Sequence, residues 1–312
     1  AMTPAYFVEV TADEANLRPH PSTDAPPVTA VARGTQLAVV GAPSAGWLPV
    51  IADAHAGWIA GGLVTKLPRL VVDASDHSEL GHADARAWLG LVADRRYVGV
   101  ILKATEAWGS TARWSVDGVA WFKARWPQLV TAAGARYGDS FFRGAYHFLI
   151  FDPARAVDQA DFYLRTVDAA GGWGDGDLIP IVDVERGSER GPNYHAAAAT
   201  VIETVQAFVA RVRAVTGQRV LMYGRGAMRD LGIRARMGAD YLWNPGYTAT
   251  MPSAEPEGWP LAQVMLWQYT DGRTNLTRFP TTAPIVRGVD LSVAIPDDLP
   301  TLRAAIVRAS TK

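Results

Sequence analysis

Cysteine is absent from the 312-residue sequence, and this absence excludes disulfide bonds and metal sites built on thiolates. Long apolar runs are also missing, since no stretch approaches the ~20 residues that a membrane-spanning helix needs. Neither sign of charge is in excess, since 30 Lys and Arg stand against 31 Asp and Glu. Nucleic-acid binding, in contrast, depends on a clustered cationic surface. We therefore expect neither a membrane nor a nucleic acid as partner, and binding of the ligand in a specific pocket. We also expect the protein to be a monomer.

Length and composition predict a globular protein of two domains. The chain exceeds the ~100–200 residues that are usual for one domain. Hydrophobic residues make up 49% and charged residues 20%, which is typical of globular proteins. Eleven Trp and ten Tyr supply flat apolar faces with polar tips, which suit sugar rings, although such residues more often form a core.

Residues 1–66 contain short apolar strands separated by Gly- and Pro-rich turns. The predicted strands are 6–10, 30–32, 36–40, 47–51 and 57–60, a pattern that indicates a small all-β barrel. This region resembles bacterial SH3-like domains in four motifs, namely ANLRPHPST at 15–23, RGT at 33–35, GW at 46–47 and GWI at 57–59. The resemblance implies a cell-wall-binding domain over 1–66.

Residues 67–312 are predicted to form a second, α/β domain, because apolar strands alternate there with longer helical segments. The predicted strands are 70–73, 97–105, 142–148, 178–185, 219–223, 241–244, 264–269 and 286–290. Eight strands predict a closed (β/α) barrel of the TIM type. The intervals between the last three strands are short and rich in Pro, Gly and Thr, so we expect the barrel to be irregular on that side.

An acidic pair ends the predicted strand 178–185, whose sequence is LIPIVDVE. Strand side chains alternate between two faces, so Asp183 and Glu185 should point one way while Val182 and Val184 point the other. The carboxyl ends of the strands form the active-site face of a parallel barrel, where an acidic pair indicates catalysis. The structural alternative for this strand is a helix-capping acid beside a solvated one.

Two further acids are predicted to join this pair. Asp73 ends strand 70–73, and Asp290 ends the last predicted strand, 286–290. The first and last strands of a barrel pair with each other, which would place Asp73 beside Asp290. Carboxyl groups that share a buried pocket raise one another's pKa, so at least one should stay protonated near neutrality and could act as a general acid.

Eight segments in this region resemble the family 25 glycoside hydrolases, the N-acetylmuramidase-type lysozymes. In chain order they are DAS at 73–75, LKATE at 102–106, GAYHF at 144–148, VDVE at 182–185, MY at 222–223, LW at 242–243, WQY at 267–269 and VDLS at 289–292. They follow the family's order along the chain.

The resemblance implies a cofactor-free and metal-free enzyme that hydrolyses the β-1,4 bond from N-acetylmuramic acid to N-acetylglucosamine in bacterial peptidoglycan. Glu185 matches the family's proton donor, Asp183 its neighbouring carboxylate, and Asp73 and Asp290 the two further acids of the site. Substrate-binding positions are matched by Tyr146, Trp243, Lys103, Glu106, His147, Gln268 and Tyr223. For His147, a hydrogen-bonded position within the barrel is the alternative.

The spacing of Asp183 and Glu185 bears on the mechanism. Residues two apart on a strand have Cα atoms ~6.6 Å apart, so both carboxyl groups lie on one side of the substrate rather than flanking it. This favours a substrate-assisted reaction, in which Glu185 protonates the leaving oxygen and Asp183 stabilises the attacking 2-acetamido group. Direct attack by water is the other mechanism that the sequence allows.

Other functions compete with this interpretation. A catalytic metal is disfavoured because His77 and His82 are five residues apart and no His-x-x-x-His pair occurs. A non-catalytic wall-binding protein is disfavoured by the four acids, whereas a hydrolase of chitin-type glycans stays open because these also carry 2-acetamido groups. The sequence WNPGY at 243–247 departs from the family's usual W-[IV]-A-x-Y, which bears on the sugar subsite rather than on catalysis.

The expected place of action is outside the cell or at the cell wall. The first residues, AMTP, lack the charged start and apolar core of a secretory signal. Release in the manner of a phage endolysin is therefore one expectation.

Overall fold

The computed structural model describes residues 3–78, 85–107, 113–248, 250, 255–272 and 289–308. Its first part consists mainly of strands, with one short 3-10 helix at Gly61–Leu63. The strands are β1 Tyr6–Val10, β2 Glu14–Leu17, β3 Thr29–Ala32, β4 Gln36–Val39, β5 Trp47–Ala52, β6 His55–Ala60 and β7 Val64–Lys66. Five of them form an antiparallel sheet in the order β6-β5-β4-β1-β7, and β2 pairs with β3. Leu17, Leu37 and Ile59 are fully buried in the core between them. This confirms the predicted small all-β domain.

The second part is the predicted closed barrel of eight strands. They are β8 Leu70–Ala74, β9 Tyr97–Glu106, β10 Phe142–Phe148, β11 Ile181–Asp183, β12 Leu221–Tyr223, β13 Tyr241–Pro245, β14 Val264–Thr270 and β15 Asp290–Ala294. Each strand from β8 to β14 is parallel to the next, and β15 closes the barrel between β14 and β8. The carboxyl ends of β8 to β14 therefore lie together at one end, called here the open end.

The last strand differs from its prediction. It was expected over 286–290 with Asp290 at its end, but β15 begins at Asp290 and runs antiparallel to both neighbours. Residues 286–288 lie outside the described part of the chain. The alternation of apolar and polar side chains is the same in either direction, so the sequence pattern does not show which way a strand runs. The reversal still brings Asp290 to the open end, as the Cα partner of Asp73.

Strand β11 is shorter than predicted because Pro180 has no N–H to donate to the sheet. Its regular pairing starts at Ile181 and ends at Asp183, so Glu185 lies two residues beyond the strand. The side-chain alternation is as expected, because Val182 and Val184 are buried in the core between strands and helices while Ile181 belongs to the barrel interior.

The helices are α1 Ala85–Ala93, α2 Arg113–Ala133, α3 Ala156–Ala169, α4 Ala198–Thr216, α5 Gly226–Asp230 and α6 Leu299–Ile306. The apolar faces of α3 and α4 supply Tyr163 and Phe208 to the core outside the barrel wall. Helix α4 ends at Gly217, which has a φ of 64°, a left-handed conformation that glycine adopts without strain. No helix within the described ranges is both long and apolar enough to cross a membrane.

The amino ends of the barrel strands are covered, and we call this side the closed end. Leu299, Leu302 and Ile306 of α6 belong to the same buried cluster as the barrel interior. Phe7 of β1 belongs to this cluster too and is only 4% exposed. The all-β domain therefore contributes a side chain to the core of the barrel, on the side opposite to the four acids.

Candidate active site

Four carboxyl groups converge at the open end because of strand geometry. Asp73 and Asp290 are Cα partners on β8 and β15, and Asp183 ends β11. Alternation along the strand turns Asp183 and Glu185 to the barrel interior, away from the core that holds Val182 and Val184. The charges of Asp73, Asp290 and Glu185 affect one another's ionisation, so the acids form one electrostatic cluster.

Asp73 and Asp290 form the first acid pair, joined by a side-chain hydrogen bond. Burial raises the pKa of Asp73 well above its usual value, and the charge of Asp290 raises it further. Gln268 opposes this effect, because its Nε2 donates to Oδ2 of Asp73 at 3.1 Å. A hydrogen bond between two carboxyl groups requires a proton, so we expect this pair to hold one.

Asp183 and Glu185 form the second pair, also joined by a side-chain hydrogen bond. Burial raises the pKa of Asp183 well above its usual value, Glu185 adds to the rise, and Lys103 opposes it. Burial also raises the pKa of Glu185, and the hydrogen bond with Asp183 opposes this rise. The pair should therefore carry a proton near neutrality, as a general acid must. Asp183 is only 5% exposed, and among the described residues its Oδ1 has no hydrogen-bond partner.

Aromatic side chains line the interior beside these acids. The hydroxyl of Tyr223 donates to Oε1 of Gln268 at 2.7 Å, and its ring meets that of Trp243 edge-on at 4.7 Å. Trp243 donates Nε1–H to Ser292 at 2.8 Å. Burial raises the pKa of Tyr146, with a further contribution from Asp183, so its phenol stays protonated and can donate a hydrogen bond. The structure thus brings three of the predicted substrate-binding aromatic residues to the four acids.

Lys103 and Glu106 are ion-paired at the carboxyl end of β9. The Lys103 ammonium also lies over the ring of Phe148, 5.1 Å from its centroid. Since this cation lowers the pKa of both Asp183 and Glu185, it belongs to the electrostatics of the site, while Glu106 holds it in place.

His147 does not join the site. It points out of the barrel wall, is completely buried, and stacks on Phe208 of α4 at 5.0 Å. Its Nδ1 lies 2.8 Å from the Thr105 hydroxyl and its Nε2 lies 3.2 Å from Oε1 of Gln159. Burial lowers the pKa of His147 to about 3, so the ring is neutral. The structure therefore places His147 apart from the four acids, in the hydrogen-bonded position that was the alternative to a substrate-binding role.

A cavity of about 350 Å³ opens beside Glu185, within the ~300–1,000 Å³ range of small-molecule sites. The ends of β11, β12 and β13 form its walls, which include Tyr223 and Tyr247. Gly224 lets these strand ends approach, because a Cβ there would lie 2.4 Å from the Val184 carbonyl oxygen. Arg186, Arg225 and Arg229 also line the cavity, and no motif in the sequence points to any of the three. The one available signal was that Arg186 directly follows Glu185.

Among the described residues, no group of three or more His, Asp or Glu side chains has the geometry of a metal site. The chemistry that the described side chains support is acid catalysis by carboxyl groups with raised pKa values. A closed barrel that carries such a carboxyl pair at its open end, beside an aromatic-lined cavity, has the architecture of a glycoside hydrolase.

Comparison with protein families agrees with this class. The model of glycosyl hydrolases family 25 matches residues 127–275, which include Asp183 and Glu185, and the bacterial SH3 domain model matches residues 13–65. The barrel is therefore a family 25 glycoside hydrolase domain, and a bacterial SH3 domain precedes it.

Individual proteins show the same likeness. An N,O-diacetylmuramidase of Chalaropsis sp. is 27% identical over 177 residues, which are 55% of this chain and 76% of that protein. An N,O-diacetylmuramidase of Arthroderma benhamiae is 30% identical over 137 residues, covering 43% of this chain and 56% of that protein. The structure of a muramidase from Acremonium alcalophilum has the same fold, with a TM-score of 0.53 and 21% identity over 77% of this chain and 98% of that one.

Proposed function

We propose that this enzyme hydrolyses bacterial peptidoglycan at the β-1,4 bond from N-acetylmuramic acid to N-acetylglucosamine, with Glu185 as proton donor. The observation that carries the proposal is the hydrogen-bonded Asp183–Glu185 pair, of which Glu185 borders the cavity. Two relatives are named muramidases, which supports the choice of bond. The proposed place of action is the cell wall, outside the cytoplasm.

The positions of the two carboxyl groups favour a substrate-assisted reaction. Glu185 gives its proton to the glycosidic oxygen as the bond to the anomeric carbon breaks. The carbonyl oxygen of the 2-acetamido group attacks that carbon, and Asp183 as carboxylate stabilises the positive charge of the resulting oxazolinium ion. Water then opens this ring and gives a proton to Glu185, which restores the acid. Oδ1 of Asp183, which has no partner among the described residues, is available to accept the acetamido N–H.

Substitution of the proton donor tests the proposal. We expect Glu185→Gln to lower turnover on purified cell walls at least ~100-fold without loss of folding, because the amide keeps the shape but carries no transferable proton. Glu189→Gln is the matched control, since Glu189 is exposed in the same loop. Clearing of wall suspensions gives the rate, and mass spectrometry identifies the new reducing ends.

Two results would contradict the proposal. Full activity of Glu185→Gln would remove Glu185 from its role. New reducing ends of N-acetylglucosamine, or faster cleavage of chitin oligosaccharides than of wall fragments, would show that a different bond is cleaved.

A further inference from the structure

The cavity beside Glu185 contains arginines that the proposed reaction does not use. Arg186 follows Glu185 in the chain, Arg225 follows β12, and Arg229 lies in α5. The acid pair of β8 and β15 lies outside the described walls of this cavity. A glycan whose scissile oxygen contacts Glu185 would therefore place a part of itself against arginines rather than carboxylates. We call this space the arginine cavity.

Positive charge is in excess around the arginine cavity. Asp230 lies 3.1 Å from Nη2 of Arg229 and 3.9 Å from Nη1 of Arg186, so one carboxylate serves two guanidinium groups. Glu257 accepts from Nε of Arg225 at 2.8 Å. Three cations therefore face two carboxylates, apart from the catalytic acids. This differs from the whole chain, whose formal net charge is -1.

Two of the arginines are held in place and keep donors available. Arg186 lies over the ring of Tyr194 at 4.6 Å and donates from both Nε and Nη2 to the Tyr194 carbonyl oxygen. Its Nη1, 3.9 Å from Asp230, has no hydrogen-bond partner among the described residues. Arg225 is anchored through Nε alone, and among the described residues neither of its Nη groups has a hydrogen-bond partner. A guanidinium group that is already oriented loses little entropy when it binds a planar anion.

We propose that the arginine cavity binds a carboxylate of the substrate, either the 3-O-lactyl group of muramic acid or an acidic residue of the peptide attached to it. This rests on the proposed function and names the part of peptidoglycan that the enzyme recognises. A guanidinium group pairs with a carboxylate through two parallel hydrogen bonds. A neutral 2-acetamido glycan would cover the arginines without pairing them, which costs binding energy. The cavity thereby discriminates against chitin-type glycans.

Binding to the inactive enzyme tests this recognition without depending on cleavage. In Glu185→Gln, we expect a peptide-free muramic-acid tetrasaccharide to bind about 10-fold more tightly than the same sugar with its lactyl groups converted to amides, as measured by calorimetry. Adding Arg225→Gln should abolish this preference. A tetrasaccharide that carries the peptide distinguishes the two sources, because a peptide carboxylate would restore the preference when the lactyl group is part of an amide bond.

Control variants separate recognition from folding. Arg213→Gln is the matched control, since Arg213 has a similar ion pair, to Asp240 at 2.6 Å, on another part of the barrel. Arg229→Gln provides a second variant in the cavity with little risk to folding, because the Arg229 side chain is 63% exposed. If acid and amide bind equally to the enzyme with intact arginines, or if Arg225→Gln weakens both equally, the inference is wrong. Failure to cleave walls would instead contradict the proposed function, since the binding measurement does not use turnover.

Discussion

Buried ionisable side chains have different hydrogen-bond partners and charged neighbours at the two ends of the barrel. At the closed end, Arg136 is 9% exposed, and its guanidinium donates to the carbonyl oxygens of Val92, Tyr97 and Ser140. At the open end, Asp183 is similarly buried at 5% exposure, yet its Oδ1 has no hydrogen-bond partner among the described residues. Asp183 also lies beside another acid, Glu185, whose effect on its pKa is larger than the opposing effect of Lys103.

The difference shows where the molecule gains stability and where it gives stability up. A buried charge that is hydrogen-bonded costs less than one that is not, whereas like charges in one pocket oppose folding unless they share protons. The closed end also contains the apolar cluster that Phe7 joins. We infer that the closed end supports the fold, while the open end keeps acids in the protonated state that catalysis needs.

The largest expected effect on stability comes from the closed end. Phe7→Ala should lower the free energy of unfolding by ~3–5 kcal/mol, because it removes a ring that is 4% exposed in the barrel's core cluster. The turnover of the folded enzyme should not change, since the acids lie at the other end. Thermal unfolding and activity at low temperature measure the two quantities.

Tyr6→Ala serves as the control, because Tyr6 precedes Phe7 on β1 but is only partly buried, against the core of the all-β domain. Its cost should be smaller. If Phe7→Ala shifted only a separate transition of the all-β domain and left the barrel's transition unchanged, the shared core would have no energetic significance.

The sequence predicted the open end better than the closed end. The acids Asp183 and Glu185 could be placed because period-two alternation and the carboxyl-end rule are both local properties of a strand. The contribution of Phe7 to the barrel core could not be predicted, because the alternation of apolar residues along β1 is explained equally well by burial in the core of the all-β domain. Docking between two domains leaves no periodic pattern in the sequence.

The direction of a strand and the face on which a side chain lies were also difficult to predict from the sequence. The pairing of Asp290 with Asp73 was expected correctly, but for a strand ending at Asp290 rather than beginning there. His147 was assigned to the site through its resemblance segment, although its neighbour Tyr146 faces the interior and His147 must then face the helices. The arginine cavity was missed because α5 and the strand ends bring Arg186 and Arg225 together from 39 positions apart in the sequence.

The next effect, at the open end, falls on activity. Asp183→Asn should lower kcat ~100- to 1,000-fold, because a neutral amide cannot stabilise the developing oxazolinium charge. The alkaline limb of the kcat profile should move to lower pH, since like charge within the Asp183–Glu185 pair holds its shared proton to higher pH, and the Asn variant lacks that charge. Measuring kcat against pH on a muramic-acid oligosaccharide tests both, and Asp152→Asn is the control, as Asn can still cap the helical turn that Asp152 caps. An unchanged profile with a higher KM alone would make Asp183 a binding residue.

Asp183→Asn should lower activity, as above, but should raise stability relative to wild type as the pH rises. The raised pKa of Asp183 means that its favourable contribution to folding is fully present below its unfolded value of ~3.9 and is lost as the pH rises. The Asn variant has no such loss, so its free energy of unfolding relative to wild type should increase from pH 4 to pH 7. Urea unfolding at several pH values measures this. A variant that is less stable than wild type throughout would show that Asp183 stabilises the open end, contrary to the comparison.

The smallest expected effect comes from the hydrogen bonds that orient Gln268. Tyr223→Phe removes the hydroxyl that donates to Oε1 of Gln268 at 2.7 Å; among the described residues the remaining donor to this oxygen is Tyr247, at 3.3 Å. The lost bond should cost ~1 kcal/mol of stability. It should also lower kcat by less than about 10-fold, because Gln268 would hold Asp73 less firmly through the bond from its Nε2. Tyr247→Phe is the matched control, since it removes the longer bond from a more exposed ring and should cost less. If Tyr223→Phe raised KM with kcat unchanged, Tyr223 would act by contacting the sugar. The hydrogen bonds within the open end would then contribute less to kcat than the structure indicates.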